Sequence, residues 1–402
     1  MKRTFALSAA LVLAFAIGSC SSDNGKAPTD PAGAIVDVQM GNDALAAGDY
    51  AAANQHYKNA LAKDPSNSEA NFGAALTELV LASENPDVVS LANLVDLVEL
   101  PPGFPARAPG NERVGLTRAG ETLRHFGIGG VSANPVKYGR AVGKLLLLGA
   151  GEPEVLSDVQ TIIKLHVLPP LQYAETRLQT LETNANFVFK ITPEMSGASD
   201  TLEIDLGEIY VLDGVINAIQ GWLHMLVAYN FDVYGNPPAD SLLAAGTSFG
   251  KLHPGGAVDM ASAHANLLLS HARIEQMIAY VGAETDPQDD DIIPLAVLSE
   301  PDFLEFKAGF DDVKDALTEV VVLDVFDYQN NPVQVAVQIG NFLTNPISDW
   351  KTKLPTHTFS PDGRDVFVTD PITFPDPIFN GVFPEMTNSL WQQLIGPVGP
   401  VM

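Results

Sequence analysis

Ile35 to Pro65 reads IVDVQMGNDALAAGDYAAANQHYKNALAKDP. Apolar and small residues recur through it at helical spacing, and Gly48-Asp49 breaks the run. The stretch predicts two helices joined by a tight turn. Two antiparallel helices that pack closely need small residues where they cross, and this stretch is rich in alanine and glycine. Ser68 to Leu81 (SEANFGAALTELVL) predicts a third helix in the same style.

The pattern resembles a tetratricopeptide repeat. Gly41, Gly48, Tyr50, Ala53, Tyr57, Ala60 and Pro65 fall on signature positions of that family. Two positions depart from it: Asp37 stands where the signature has a tryptophan, and Ala44 replaces the usual tyrosine of the first helix. Ser68 to Leu81 resembles the first helix of a second repeat, but the ENPDVVSLANLVDL that follows lacks the glycine–aromatic pattern of a partner helix. One and a half repeats cannot bury a solenoid core, so they must pack on the rest of the chain. The resemblance implies a ligand groove lined by the first helix of each repeat: Val38, Asn42, Leu45, Glu69, Phe72, Leu76 and Leu79. Members that clamp a peptide carboxylate use Lys, Asn and Arg there, and only Asn42 conforms. So apolar a groove is expected to dock onto its own chain rather than onto a peptide.

The chain opens MKRTFALSAALVLAFAIGSC. Lys2 and Arg3 form a basic start, and Thr4 to Ile17 an apolar core too short for a stable spanning helix. Ile17-Gly18-Ser19-Cys20 resembles the lipobox of bacterial lipoproteins, which implies a diacylglycerol on the Cys20 thiol and cleavage just before it. Ser21, where an aspartate would signal inner-membrane retention, favours the outer membrane by that family's sorting rule. Ser21 to Pro31 is polar and reads as a tether.

Of 402 residues, 46% are hydrophobic and 18% charged, an ordinary globular balance and not that of a disordered chain. The formal charge is −27, and removing Lys2 and Arg3 with the leader, which holds no acidic residue, makes it −29. A surface this acidic repels phosphate backbones, which argues against nucleic-acid binding. Cys20 is the only cysteine, so the chain has no internal disulfide and no thiolates for haem attachment or an iron–sulfur cluster.

Leu100 to Pro135 is rich in Gly, Pro and Arg and reads as an irregular excursion with a short helix at Thr117–Phe126. Helices are expected at Ala141–Leu148, Glu152–Leu165, Leu168–Thr183, Glu208–Tyr229, Val258–Val281, Phe303–Val321 and Val333–Leu343. NFVFKIT (Asn186–Thr192) and TLEIDL (Thr201–Leu206) alternate and predict a β-hairpin. Glu208–Tyr229 is long and apolar, yet Asp213, Gln220 and His224 favour a core helix over a membrane span. The proline-dense end, Leu354 to Met402, predicts a tail that wraps the body, with a turn and short flanking strands at Thr358–Arg364. The middle and end (LEIDLGEIYVLDGVINAIQGWLHMLVAYNFD, then DPIFNGVFPEMTN) are similar to large bacterial lipoproteins with an N-terminal tetratricopeptide segment, which implies this architecture and no particular activity.

Catalytic signals are weak. Gly246-Thr-Ser248-Phe-Gly250 matches the G-x-S-x-G elbow of serine hydrolases, but Pro254, Gly255 and Gly256 deny it the helix the elbow needs. His264 and His271 lie about 10 Å apart along a helix, and one zinc ion cannot span them. His271 and Glu275, one turn apart, make half a metal site with no second half identifiable, so satisfied or solvated histidines are expected. Asp286, Asp289, Asp290 and Asp291 offer oxygens to Ca²⁺ but lack the glycine and distal glutamate of an EF-hand, so a solvated loop is expected. Trp222, Trp350 and Trp391 are expected in the core.

The sequence therefore predicts a mostly α protein: tetratricopeptide-like helical hairpins packed on a larger helical body with small β-hairpins and an irregular Pro-rich tail. Its parts are a signal peptide (1–19), a lipidated tether (20–33), the repeat segment (34–98), the helical body (99–353, hairpin near 186–206) and the tail (354–402). The expected role is a non-enzymatic, membrane-anchored binding or scaffold lipoprotein of the bacterial envelope with a protein partner and no cofactor. The alternatives are a periplasmic carrier of a small ligand or Ca²⁺ and, behind it, a hydrolase using Ser248.

Overall fold

The computed structural model describes residues 30–89, 155–196, 201–233, 237–285 and 292–396. The leader, Cys20, the excursion after Leu100, the helices expected at 117–126 and 141–148, and the acidic loop at Asp286–Asp291 lie outside them.

The fold is mostly helical. It opens on α1 (Pro31–Ala46), α2 (Tyr50–Lys63) and α3 (Ser68–Glu84). Each start is capped by a side chain of the preceding residue: Asp30 accepts from Gly33 N, Asp49 from Ala52 N and Asn67 from Ala70 N. Gly48 turns the chain between α1 and α2 at a φ of 74°, a conformation that costs glycine nothing. Asp37, the departure from the signature, is buried and ion-paired to Lys63 at 2.7 Å, so a tie from the body of α1 to the end of α2 stands where the signature has a tryptophan.

After residue 154 the chain re-enters as α4 (Val155–Ile162), a π turn (Ile163–Val167) and α5 (Leu168–Leu181) without a break. Two separate helices were expected here. Pro169 and Pro170 have no N–H to bond back one turn, and the π turn absorbs the missing bonds. The predicted hairpin follows, with β1 (Phe189–Ile191) antiparallel to β2 (Leu202–Ile204) and α6 (Pro193–Ser196) between them.

At the centre is α7 (Leu206–Ala228), begun by a capping box between Asp205 and Glu208. Among the described residues it is the one helix long and apolar enough to cross a membrane. Here it is packed between α5 and α9 (Gly256–Val281), with Asp213, Asn217 and Gln220 buried. Short elements connect these: β3 (Tyr229–Asn230), α8 (Ala239–Leu243) and β4 (Lys251–Leu252), β4 pairing with β3.

A 3₁₀ turn (Leu295–Ser299) leads into α10 (Pro301–Thr318). The helix expected at Val333–Leu343 is corrected. Val333 to Val337 belongs to β6 (Pro332–Val337), which pairs along its length with β5 (Val321–Phe326), and only Ile339–Thr344 is helical (α11). Val333, Val335 and Val337 alternate with period two toward the tail, a pattern that an apolar helix face hides over so short a run.

The tail carries β7 (His357–Phe359) paired with β8 (Val366–Val368) around the predicted turn, then α12 (Asn388–Ile395). It folds under the β5–β6 ribbon, where Val335, Val337 and Met386 are buried against Phe383, Leu390 and Trp391.

Candidate functional site

The inner face of the repeat segment is covered by the chain itself. Phe72 packs at a tilt against Phe189 and Phe187, with ring centroids 4.8 and 6.0 Å apart, and Val38, Leu45 and Leu76 are buried in the same cluster as Leu171, Leu178 and Ile191. Leu79 packs on the edge of that cluster. Asn42 accepts a 2.7 Å hydrogen bond from the Tyr57 hydroxyl, which leaves it part of the joint rather than a free clamp residue. The seam is polar at its rim. Lys58 pairs with Glu78 at 2.7 Å and sits 5.0 Å over the Tyr173 ring, with Arg177 5.1 Å away on the same ring. Behind it, Asn54 donates to Thr77 Oγ1 and Glu78 Oε2.

The flank of α1 is different. Ile35, Val36 and Met40 are 63, 58 and 46% exposed. Beside them lies a pocket of about 240 Å³ lined by Ile35, Val38, Asn67, Ser68 and Glu69. Small-molecule sites usually hold roughly 300–1,000 Å³, so this dimple fits a protein side chain better than a carried ligand. A terminal repeat normally shows water a polar outer face. The flank of α1 shows an aliphatic strip instead.

The second feature is a buried ionic cluster joining α5, α7 and α9, which sequence reasoning missed. Arg273 donates from Nε to Asp213 at 2.6 Å and from its terminal nitrogen to Glu182 at 2.8 Å. Asn217 donates to Asp213, and Gln220 to Glu175. Asp213 has no exposed surface. Burial pushes Glu182 up to about 7 against the pull of Arg273, and burial raises Asp213 as well. The available signal was an aspartate inside an otherwise apolar helix, which demands a buried cation somewhere in the chain.

Glu208, in the capping box of α7, is pushed up to about 8 by burial and then by the charge of Asp205. A carboxyl whose folded value lies above its unfolded one holds its proton more tightly when folded. Its stabilising contribution is full below the unfolded value and is lost as pH rises through the folded one. The urea midpoint is therefore expected to fall between pH 4.5 and 8, and Glu208→Gln, which keeps the acceptor for Ile293 N, should flatten that slope. An unchanged slope in the variant would refute the assignment.

The π turn sets a further polar tie. His224 Nδ1 lies 3.0 Å from Asp259 Oδ1, and Lys164 reaches Asp259 Oδ2 at 3.3 Å. Gln160 donates to the carbonyls of Leu226 and Tyr229 and meets His253 Nε2 at 3.0 Å.

The remaining sequence candidates are placed as follows. Ser248 is exposed in a turn between α8 and β4, so its G-x-S-x-G stretch runs helix to strand, the reverse of the hydrolase elbow. His264 Nε2 meets the Leu317 carbonyl at 3.1 Å. His271 and Glu275 acquire the partner that the sequence did not reveal, Asp311 on α10. Trp350 and Trp391 pack among aromatic rings, Trp391 donating to the Pro377 carbonyl. Trp222 is corrected: it is 45% exposed, because α7 turns its other faces to α5 and α9. Asp286, Asp289, Asp290, Asp291 and Cys20 lie outside the described residues.

In comparison with known proteins, residues 44–87 match the tetratricopeptide repeat family. The match begins inside α1 and runs to just past α3, so it covers the segment built around Tyr57. No curated protein and no solved structure matches the chain.

Proposed function

We propose that this chain is a non-enzymatic binding or scaffold lipoprotein of the bacterial envelope, anchored through Cys20 and holding a protein partner on the open flank of its repeat segment. Tetratricopeptide repeats generally mediate protein–protein interaction, and that coarse role follows from the family match. The observation that carries the finer reading is the aliphatic strip of Ile35, Val36 and Met40 on a repeat segment whose inner groove is already filled. A further repeat or helix can stack there and bury it. The lipobox at Ile17–Cys20 supports the anchor, and Ser21 supports the outer membrane.

The test is crosslinking on intact cells with mass spectrometry of captured partners, comparing the parent with Ile35→Glu/Met40→Glu. Central apolar contacts in interfaces cost about 2 kcal/mol or more when removed. The double variant should lose a defined partner at unchanged thermal stability, since both side chains face water. In the same cells Cys20→Ser should move the chain to the soluble fraction. An identical partner set in the double variant would sink the flank as the binding face.

A further inference from the structure

We propose that His271, Glu275 and Asp311 form a binding site for a divalent transition-metal ion, Zn²⁺ foremost, in which the Lys307 ammonium is the competing cation. His271 and Glu275 lie one turn apart on α9, and Asp311 comes from the facing α10. Their donor atoms all lie within 4.8 Å of one another. Tetrahedral zinc, with bonds of about 2.0–2.1 Å, places its donors about 3.3 Å apart. Closing the difference takes rotations of Glu275 and Asp311, both part-exposed, and release of their ion pairs to Lys307.

The imidazole is already aimed. His271 stacks on Phe310 with centroids 5.5 Å apart and planes at 21°, and its Nε2 lies 2.8 Å from Asp311 Oδ1. A ligand role needs the Nε2 lone pair, so the ring proton shifts to Nδ1 when the ion binds. Lys307 reaches Glu275 Oε1 at 2.9 Å and Asp311 Oδ2 at 2.8 Å, which marks the spot between the two carboxylates as one that attracts a cation. The Lys307 ammonium is paired with the two carboxylates. A transition-metal dication uses all three side chains and leaves its fourth position to water on the open side. Ca²⁺ and Mg²⁺ want more oxygens than the site offers, so ligand type selects zinc or copper.

The experiment is calorimetric titration of the full chain with ZnCl₂, in a Cys20→Ser background so that the only thiol does not compete. One equivalent of Zn²⁺ should bind. His271→Ala, and the conservative His271→Gln, should weaken it about tenfold or more, as supporting residues alone commonly do. Lys307→Ala should tighten it about three- to tenfold, the worth of the two partly exposed ion pairs that the ion displaces. CaCl₂ should show neither dependence. Zinc binding that is unchanged in both His271 variants, no tightening in Lys307→Ala, or the same His271 dependence with Ca²⁺ would each overturn the proposal.

Discussion

Tyr57→Ala is expected to lower the unfolding free energy by about 3–5 kcal/mol, the range for emptying a large aromatic from a packed core. Tyr57 is wholly buried where α1, α2 and α3 meet. Its ring lies over two glycines: a Cβ on Gly41 would come within 2.7 Å of it, and one on Gly73 within 2.4 Å. At Gly41 and Gly73 the wall beside the ring is helix backbone, which cannot fold in to fill the space. Burial, and then the charge of Glu69, raise the phenol and keep it a hydrogen-bond donor to Asn42. Two companions separate the contributions. Tyr57→Phe removes the hydrogen bond alone and should cost about 0.5–1.5 kcal/mol. Gly73→Ala overfills the joint and should cost about 1–3 kcal/mol. Chemical denaturation followed by circular dichroism measures all three, and a Tyr57→Ala loss below that of Tyr57→Phe would contradict the packing described.

Arg273→Met should be of similar size, about 3–5 kcal/mol, for a different reason. It removes the cation that, among the described residues, pairs with both Asp213 and Glu182, and leaves two carboxyls largely buried among helices. The loss should shrink as pH falls toward 5, because both groups can then take up protons, which burial already favours. Asp213→Asn in the same chain should restore a large part of the loss, so the two substitutions should be strongly non-additive. Additive effects, or a loss independent of pH, would mean that the cluster acts only through packing.

The long helices were legible because their apolar period is sustained. α7, α9 and α10 start within a few residues of the predicted positions, and the β1–β2 hairpin was visible in the alternation of NFVFKIT and TLEIDL. The repeat segment was legible because glycine, alanine and tyrosine sit where helices touch. What escaped notice depends on partners far apart in the chain. Asp213 announced a buried charge, but its partners Arg273 and Glu182 sit on other helices, at positions that one helix's periodicity does not link. Asp311 joined His271 and Glu275 in the same way. The β5–β6 ribbon was missed because valines alternating over six residues also fit an apolar helix face. Trp222 was misplaced because an apolar helix packed between two others still keeps an open side, and Trp222 lies on it at 45% exposure.

The capping of α1 by Asp30 has a consequence for reach. The first of the described helices starts at Pro31, and a stretch as long as residues 20–29, even fully drawn out, spans no more than about 35 Å. With the proposed lipid on Cys20, the aliphatic strip of Ile35, Val36 and Met40, up to ten helical residues further on, would stay within about 50 Å of the bilayer. A partner meeting it there searches a thin shell over the membrane rather than a volume. The encounter then depends on how much of each protein occupies the surface, and a modest contact between the two can be filled at copy numbers too low to fill it in free solution.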